Sequence, residues 1–226
     1  MISAKHKEIH FFDYNYNKGS NWYINQFPLL PSNKDIITGE ATPYYLFHPL
    51  VPERTFNLLP NVKIIVLLRN PIDRAYSHYQ MEYKRGIENL SFENAVKVEK
   101  KRLSNEIEKM LQNKFYKSKN HQFFSYLSRG IYVDQLKTWM SIFSKEQFLI
   151  IKSEDFYLNP SAILKNVITF LELPSREFNE YKEFKIHNEG HYSEMDSIIR
   201  EKLIAFFQPH NQRLFEFLKR DFGWAH

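Results

Sequence analysis

An arginine and a serine near the middle of the chain have the residue types and the spacing to hold a phosphate group. Arg69 directly follows the apolar run Val62–Leu68, and Arg74 and Ser77 lie on the helix that is predicted for Ile72–Arg85. A guanidinium binds phosphate oxygens in bidentate fashion, and a helix N-terminus adds free N–H groups and a positive dipole. This turn is therefore a candidate anion site.

The two arginines of this turn also have a plainer interpretation. Asp73 and Glu82 lie close by in the sequence, so Arg69 and Arg74 could pair with them in a surface network. Residues three or four apart on a helix are neighbours, which allows such pairs. Spacing alone does not separate a phosphate site from surface ion pairs.

A carboxylate and an imidazole near the N-terminus have the residue types for proton transfer. If Lys7–Asp13 is extended, Glu8 and His10 project from the same face of the chain. Glu8 could then accept a proton from a hydroxyl nucleophile, and His10 could orient that hydroxyl or the carboxylate. The alternatives are a solvated charge for Glu8 and an ordinary hydrogen-bonded side chain for His10.

The elements that must position these residues alternate between strand and helix. Val62–Leu68 and Gln147–Lys152 are nearly continuous apolar runs, which predicts parallel strands covered on both faces. A short strand that leads into a loop is expected at Ile36–Tyr45, and a loop is expected at Asn179–Tyr192. Helices are predicted near Trp22–Phe27, at Ile72–Arg85, in one long stretch from Ser91, at Tyr132–Phe143, after Asn159-Pro160, at Ser193–Phe207 and at Pro209–Lys219. This alternation indicates an α/β fold with a parallel sheet.

Composition favours one soluble domain over residues 1–226. Hydrophobic residues make up 43% of the chain and charged residues 25%, and there is no Cys, which excludes disulfides and thiolate metal sites. No apolar run approaches the ~20 residues of a membrane span, and the N-terminus has no apolar signal core, so we expect a cytoplasmic protein. The net charge of +5 favours anionic ligands. The Lys and Arg residues are scattered, which argues against a nucleic-acid partner.

Further motifs follow one another along almost the whole chain. They are Lys7–Asp13 with Gly19-Ser20-Asn21-Trp22, Gly39–Leu46, Leu68–Tyr79, Arg129-Gly130-Ile131-Tyr132, Ser153–Phe156 and Phe222-Gly223-Trp224. Each motif is weak alone, but their order resembles that of the 3′-phosphoadenosine 5′-phosphosulfate (PAPS)-dependent sulfotransferase family, in its heparan-sulfate or carbohydrate branch. In that comparison Leu68–Tyr79 matches the 3′-phosphate motif and Lys7–Asp13 the segment with the catalytic base.

The resemblance implies a fold, a reaction and a set of site residues. The fold would be a P-loop-NTPase-like three-layer α/β/α arrangement around a central parallel sheet. The reaction would move a sulfuryl group from PAPS to a hydroxyl of a glycan or small molecule, without a metal. The catalytic residues would be Glu8 and His10; the donor site would comprise Arg69, Ser77, Arg74, Tyr132, Gly190 and His191; the acceptor site would comprise Lys7, Asp13, Thr42, Pro43 and Tyr44.

The sequence departs from the family pattern in three places. The family's first strand and its Gly/Lys/Thr/Ser loop for the 5′-phosphosulfate have no match, and we expect that segment upstream of Met1. The nucleotide-covering loop contains the acidic Glu189, and Ala41 stands where several relatives have a Lys, which argues against a heparan-like polyanion as acceptor. These departures leave a second hypothesis, a non-catalytic module of the same fold that binds nucleotides or sulfated glycans.

Overall fold

Two pairs of parallel strands form the sheet structure among the residues that the structure describes. The computed structural model describes residues 2–28, 37–174 and 192–224, with the backbone alone for residues 2 and 3. Strand β1 (Ile2–Ser3) pairs with β2 (Thr38–Gly39), and β3 (Ile64–Leu68) pairs with β4 (Phe148–Lys152). The two long apolar runs are thus confirmed as neighbouring parallel strands.

Helices make the connections, and several of them begin at a side-chain cap. The described helices are α1 (Gly19–Ile24), α2 (Val51–Leu58), α3 (Pro71–Lys84), α4 (Phe92–Leu103), α5 (Glu106–Gln112), α6 (Lys119–Phe123), α7 (Tyr132–Met140), α8 (Ser153–Leu158), α9 (Pro160–Phe170) and α10 (Ser197–Leu218). At the start of α3, the Asn70 side chain accepts a hydrogen bond from the Ile72 amide at 3.0 Å, and Pro71 occupies the first turn. The predicted strand–helix junction at Arg69 is therefore present, and the chain has the α/β fold.

Within the described part of the chain, the hydrophobic core has three parts. In the first, Val66 and Leu68 of β3 pack with α7 and α10. In the second, α3 packs against α4 and α10. In the third, Phe11 and Phe12 pack with Val51 of α2 and with the end of α7. This third cluster fixes the N-terminal segment, and with it Glu8 and His10, to the body of the fold.

One face of β3 is less covered than the sequence predicts. Val66 and Leu68 are 6% and 0% exposed, whereas Leu67 between them is 53% exposed. Successive side chains of a strand point to opposite faces. Among the described residues, the face opposite α7 and α10 is therefore only partly covered.

Two helix predictions were wrong at their boundaries. The long helix expected from Ser91 is broken between α4 and α5, where Asn105 has a left-handed φ of 60° that Asn tolerates better than most residues. The two closing helices are one continuous helix, α10, with Pro209 inside it. Pro209 has no N–H group, so the Ala205 carbonyl has no hydrogen-bond donor within the helix. Both residues lie on the exposed face of α10, so water can solvate that carbonyl.

One further predicted helix begins a few residues earlier than expected, and one predicted loop lies almost entirely outside the described residues. The short helix expected near Trp22–Phe27 begins earlier, at Gly19. The loop expected at Asn179–Tyr192 falls outside the described residues except for Tyr192. None of the described helices is long and apolar enough to cross a membrane.

Candidate active site

An imidazole between two carboxylates forms the first part of the site. The Nδ1 atom of His10 lies 2.6 Å from Oδ2 of Asp13, and its Nε2 atom lies 3.5 Å from Oε2 of Glu8. The hydrogen bond to Asp13 is the main reason that the pKa of His10 is raised, and the charges of Asp13 and Glu8 add to it, while burial opposes them. Asp13 is 6% exposed, whereas the Glu8 side chain is 41% exposed and can reach a ligand.

The backbone that presents Glu8 and His10 is not extended, so this prediction was wrong. Glu8 and His10 both have left-handed φ angles, 57° and 52°, and Ile9 between them is buried. A π-helical turn, Phe11–Asn15, follows directly, with the amides of Tyr14 and Asn15 donating to the His10 carbonyl. The two functional side chains meet because of this kinked backbone rather than through strand alternation.

A layer of polar residues behind His10 holds this turn in place. The His10 amide donates to Oγ1 of Thr42 at 3.5 Å, and the Thr42 hydroxyl donates to Glu40 at 3.0 Å. The Tyr45 hydroxyl accepts a hydrogen bond from the Phe11 amide at 2.7 Å and donates to Glu40 at 3.1 Å. Burial raises the pKa of Glu40. Neither Glu40 nor Tyr45 was among the predicted site residues, although both lie within the motif Gly39–Leu46.

The predicted acceptor residues have different surroundings. Asp13 and Thr42 support His10, as described above. Tyr44 is 4% exposed, and its hydroxyl is hydrogen-bonded to Nδ1 of His121 at 2.7 Å. Pro43 and Lys7 are exposed, Pro43 at the start of a 3-10 turn. The geometry therefore places Asp13 and Thr42 behind the reactive groups and leaves Pro43 and Lys7 facing solvent.

The second part of the site lies where β3 ends. Arg69 and Ser77 are both half-buried, and within the part of the chain that the structure describes their side chains have no hydrogen-bond or ion-pair partner. The Tyr132 hydroxyl donates to the Arg69 carbonyl at 2.9 Å, which fixes the backbone at the strand end. A guanidinium and a hydroxyl that are left available beside a helix N-terminus fit a phosphate group.

The surface network considered for the two arginines is not formed. Arg74 donates to the backbone carbonyl of Tyr126, and burial lowers its pKa. Asp73 instead pairs with Arg200. Glu82, the other carboxylate considered, pairs with two other side chains, His78 at 3.6 Å and Arg85 at 3.4 Å.

The segment Arg129–Tyr132 connects the two parts of the site. The Arg129 guanidinium lies 5.1 Å from the centroid of the Tyr44 ring and donates to the Gln122 carbonyl at 2.5 Å. Burial lowers the pKa of Arg129 to about 10. Tyr132, three residues later, contacts the Arg69 carbonyl. Sequence reasoning noted this motif but did not include Arg129 among the site residues. The predicted residues Gly190 and His191 lie outside the described residues.

Comparisons with known proteins identify the family of the chain. The family model described as "Sulfotransferase domain" matches residues 3–210. The chain is 29% identical to the membrane-associated sulfotransferase kil1 of Dictyostelium discoideum and 28% identical to human heparan sulfate glucosamine 3-O-sulfotransferase 5, in each case over 96% of the chain. It spans 60% and 65% of the length of these two relatives. The crystal structure of a sulfotransferase from Alicyclobacillus acidocaldarius superposes with a TM-score of 0.73 at 28% identity, over 99% of this chain and 88% of that one.

Proposed function

The chain belongs to the sulfotransferase family, in its carbohydrate-sulfotransferase branch, and from this premise we propose that it transfers a sulfuryl group from PAPS to a hydroxyl of a carbohydrate. The observation that carries the proposal is the arrangement of Glu8, His10 and Asp13. In this reaction an acceptor oxygen forms a bond to sulfur, the bond from sulfur to the 5′-phosphate oxygen breaks, and the acceptor loses its proton. A partly exposed carboxylate held beside an imidazole can take that proton.

Each residue of this group has a distinct role in the proposed reaction. Glu8, which is 41% exposed, accepts the proton of the acceptor hydroxyl. His10 orients that hydroxyl or the Glu8 carboxylate, and Asp13 holds the imidazole through Nδ1. Thr42 positions the His10 backbone. Asp13 and Thr42, which the family resemblance assigned to the acceptor, act in this proposal through His10.

On the donor side, Arg69 and Ser77 bind the 3′-phosphate. Their side chains are available among the described residues, and Tyr132 fixes the Arg69 backbone. Arg74 supports this region from its bond to the Tyr126 carbonyl rather than by direct contact. Gly190 and His191, as covers of the nucleotide, and a cytoplasmic location stay predictions.

Titration calorimetry with adenosine 3′,5′-bisphosphate tests the donor site. We expect Arg69→Ala to lower the affinity at least tenfold, since a charge-assisted bidentate contact is lost, and to leave the melting temperature unchanged. Lys84→Ala is the matched control, because Lys84 is an exposed cation at the C-terminal end of α3, far from Arg69 in the sequence. Equal affinities of wild type and Arg69→Ala would show that the phosphate binds elsewhere.

A sulfate-transfer assay with radiolabelled PAPS separates an enzyme from the second hypothesis, a non-catalytic binding module. Under both hypotheses the protein binds adenosine 3′,5′-bisphosphate. An enzyme would also give labelled product with an acceptor glycan. Binding without transfer, even by a chain extended with the family's N-terminal 5′-phosphosulfate loop, would favour the module.

A further inference from the structure

The imidazole of His10 is held on one face as well as at one edge. The ring of Tyr14 stacks on it, with 5.5 Å between the ring centroids and 25° between the ring planes. Asp13 engages Nδ1 at 2.6 Å, and Nε2 lies 3.5 Å from Oε2 of Glu8. Because one face and the Nδ1 edge are occupied, Nε2 is the ring atom left to exchange a proton with Glu8 or with a bound hydroxyl.

The Tyr14 ring is itself anchored at its hydroxyl by a residue from a distant part of the chain. That hydroxyl donates a hydrogen bond to Oε1 of Gln122, which lies on α6. The two residues are 108 positions apart, and both are half-buried. Burial raises the pKa of Tyr14, so the phenol keeps the proton that this hydrogen bond needs. The ring therefore cannot turn away from His10 without losing its contact with Gln122.

The helix that carries Gln122 is short, but its N-terminal end is fixed. The Ser118 side chain caps α6 by accepting a hydrogen bond from the His121 amide at 3.0 Å. The Ser118 hydroxyl in turn donates to the carboxylate of Glu106 on α5. Ser118 and Glu106 are both buried, so water does not compete for these hydrogen bonds.

Contacts from two further parts of the chain hold α6 against the body of the fold. His121 is buried, its Nδ1 atom lies 2.7 Å from the Tyr44 hydroxyl, and its ring stacks on Phe47 with 4.2 Å between centroids. The Arg129 guanidinium donates to the Gln122 carbonyl at 2.5 Å. The position of Gln122, and with it that of the ring it anchors, is therefore set by the packed interior.

We propose that Gln122 is a positioning residue for the reaction: it holds the Tyr14 ring against His10 and so keeps the imidazole in the plane in which Nε2 faces Glu8. This inference rests on the proposed function, in which His10 orients the acceptor hydroxyl or the Glu8 carboxylate. The stacked ring also favours the protonated imidazole, because an aromatic face attracts a cation. Tyr14 and Gln122 both lie outside the motifs that carry the family resemblance, so the contact is a feature of this chain.

NMR spectroscopy of His10 in the intact chain tests the proposal. Two substitutions remove the hydrogen bond from opposite sides. Tyr14→Phe keeps the ring without the hydroxyl, and Gln122→Met keeps the length of the side chain without the oxygen acceptor. In both variants we expect a smaller ring-current shift of the carbon-bound His10 protons. The pKa of His10 should fall by about 0.5, as expected for the loss of an exposed cation–aromatic contact.

A double-mutant cycle and two controls separate this contact from general disturbance. The double variant Tyr14→Phe/Gln122→Met should change the His10 signals no further than either single substitution, because both remove the same hydrogen bond. Gln122→Glu retains an oxygen acceptor and should keep the ring-current shift of the wild type. Tyr16→Phe removes a nearby phenolic hydroxyl that forms no hydrogen bond with a described residue, and it should leave the His10 signals unchanged.

Turnover connects this position to the reaction. In a chain extended with the family's 5′-phosphosulfate loop, Gln122→Met should lower kcat for sulfate transfer about tenfold, because the imidazole is no longer held in line with Glu8. Bisphosphate affinity should stay within about twofold of the wild type, since Gln122 is not part of the proposed donor site. Gln122→Glu should restore kcat.

The outcomes distinguish this inference from the proposed function. If the His10 signals of Tyr14→Phe and Gln122→Met coincide with those of the wild type, Gln122 does not position the imidazole. If the signals change but kcat of Gln122→Met equals that of the wild type, the contact is structural only, and the inference is equally wrong. Absence of transfer by the extended wild-type chain would contradict the proposed function instead, and the NMR signals would still decide whether Gln122 fixes the imidazole.

Discussion

At the scale of single residues, the hydrogen bond between Asp13 and His10 controls the protonation of the site. It is the largest cause of the raised pKa of His10, and Asp13 itself is almost fully buried. We expect the His10 resonances in NMR to titrate above the usual 6.5, and Asp13→Asn to move the midpoint towards that value. His48 and His121, with pKa values lowered to about 3 by burial, serve as internal references that do not titrate in this range.

The same contact has a predictable effect on stability. Because the pKa of His10 is raised on folding, its protonation stabilises the folded state below pH 6.5, and this contribution is lost as the pH rises through the folded value. The difference in unfolding free energy between wild type and Asp13→Asn should therefore be larger at pH 5.5 than at pH 8. An equal difference at both values would mean that Asp13 acts on stability without its link to His10.

Glu8 is the residue on which the proposed chemistry depends most directly. Glu8→Gln keeps the size and hydrogen-bonding capacity of the side chain but cannot accept the acceptor's proton. We expect bisphosphate affinity to stay within about twofold of the wild type. Sulfate transfer by a chain extended with the family's 5′-phosphosulfate loop should fall roughly 10²-fold or more. Unchanged transfer would remove Glu8 from the role of base.

At the scale of elements, Gly130 explains how the segment Arg129–Tyr132 passes between two helices. A Cβ atom at Gly130 would lie 2.8 Å from the Phe207 ring of α10 and 3.1 Å from Cβ of Pro71 of α3. Gly130→Ala should lower the free energy of unfolding by roughly 1–3 kcal/mol through overpacking, measured by urea denaturation. Gly39→Ala is the matched control, because a Cβ there meets no described atom within 4 Å.

Pro209 destabilises α10. Its ring removes one backbone donor in the middle of a helix that runs from Ser197 to Leu218. Pro209→Ala restores the bond to the exposed Ala205 carbonyl and should raise the free energy of unfolding by about 1–3 kcal/mol. Gln208→Ala, at the neighbouring exposed position, should change it by less than about 0.5 kcal/mol. Equal effects of the two substitutions would mean that the helix is not strained at Pro209.

Elements with a strong local signal could be predicted from the sequence, and those set by tertiary contacts could not. The apolar runs that became β3 and β4, and the Asn70 cap of α3, follow from local patterns. The kink at Glu8 and His10 does not, because it depends on Ile9 packing and on partners some 30 residues away, such as Thr42. The motifs predicted roles for Glu8, His10 and Arg69, whereas the contacts of Arg129 required the structure.

At the scale of the whole molecule, buried neutral histidines make stability depend on pH. Burial lowers the pKa values of His48 and His121 to about 3 and that of His78 well below 6.5. Below pH 6.5 these histidines bind protons in the unfolded chain but not in the folded protein. The free energy of unfolding therefore decreases as the pH falls, by up to about 1.4 kcal/mol per pH unit for each histidine. His121→Gln should reduce that slope between pH 6 and 4.5 by about the contribution of one proton.

The left-handed backbone at Glu8 and His10 lowers the stability of the folded protein at two positions that the proposed reaction uses. A side chain other than Gly costs roughly 1–2 kcal/mol in this conformation. Gly at position 8 would remove that cost together with the carboxylate, whereas Gly at position 10 would also leave the buried Asp13 without its imidazole partner. A selection for thermal stability alone would therefore discard the proposed chemistry first at position 8.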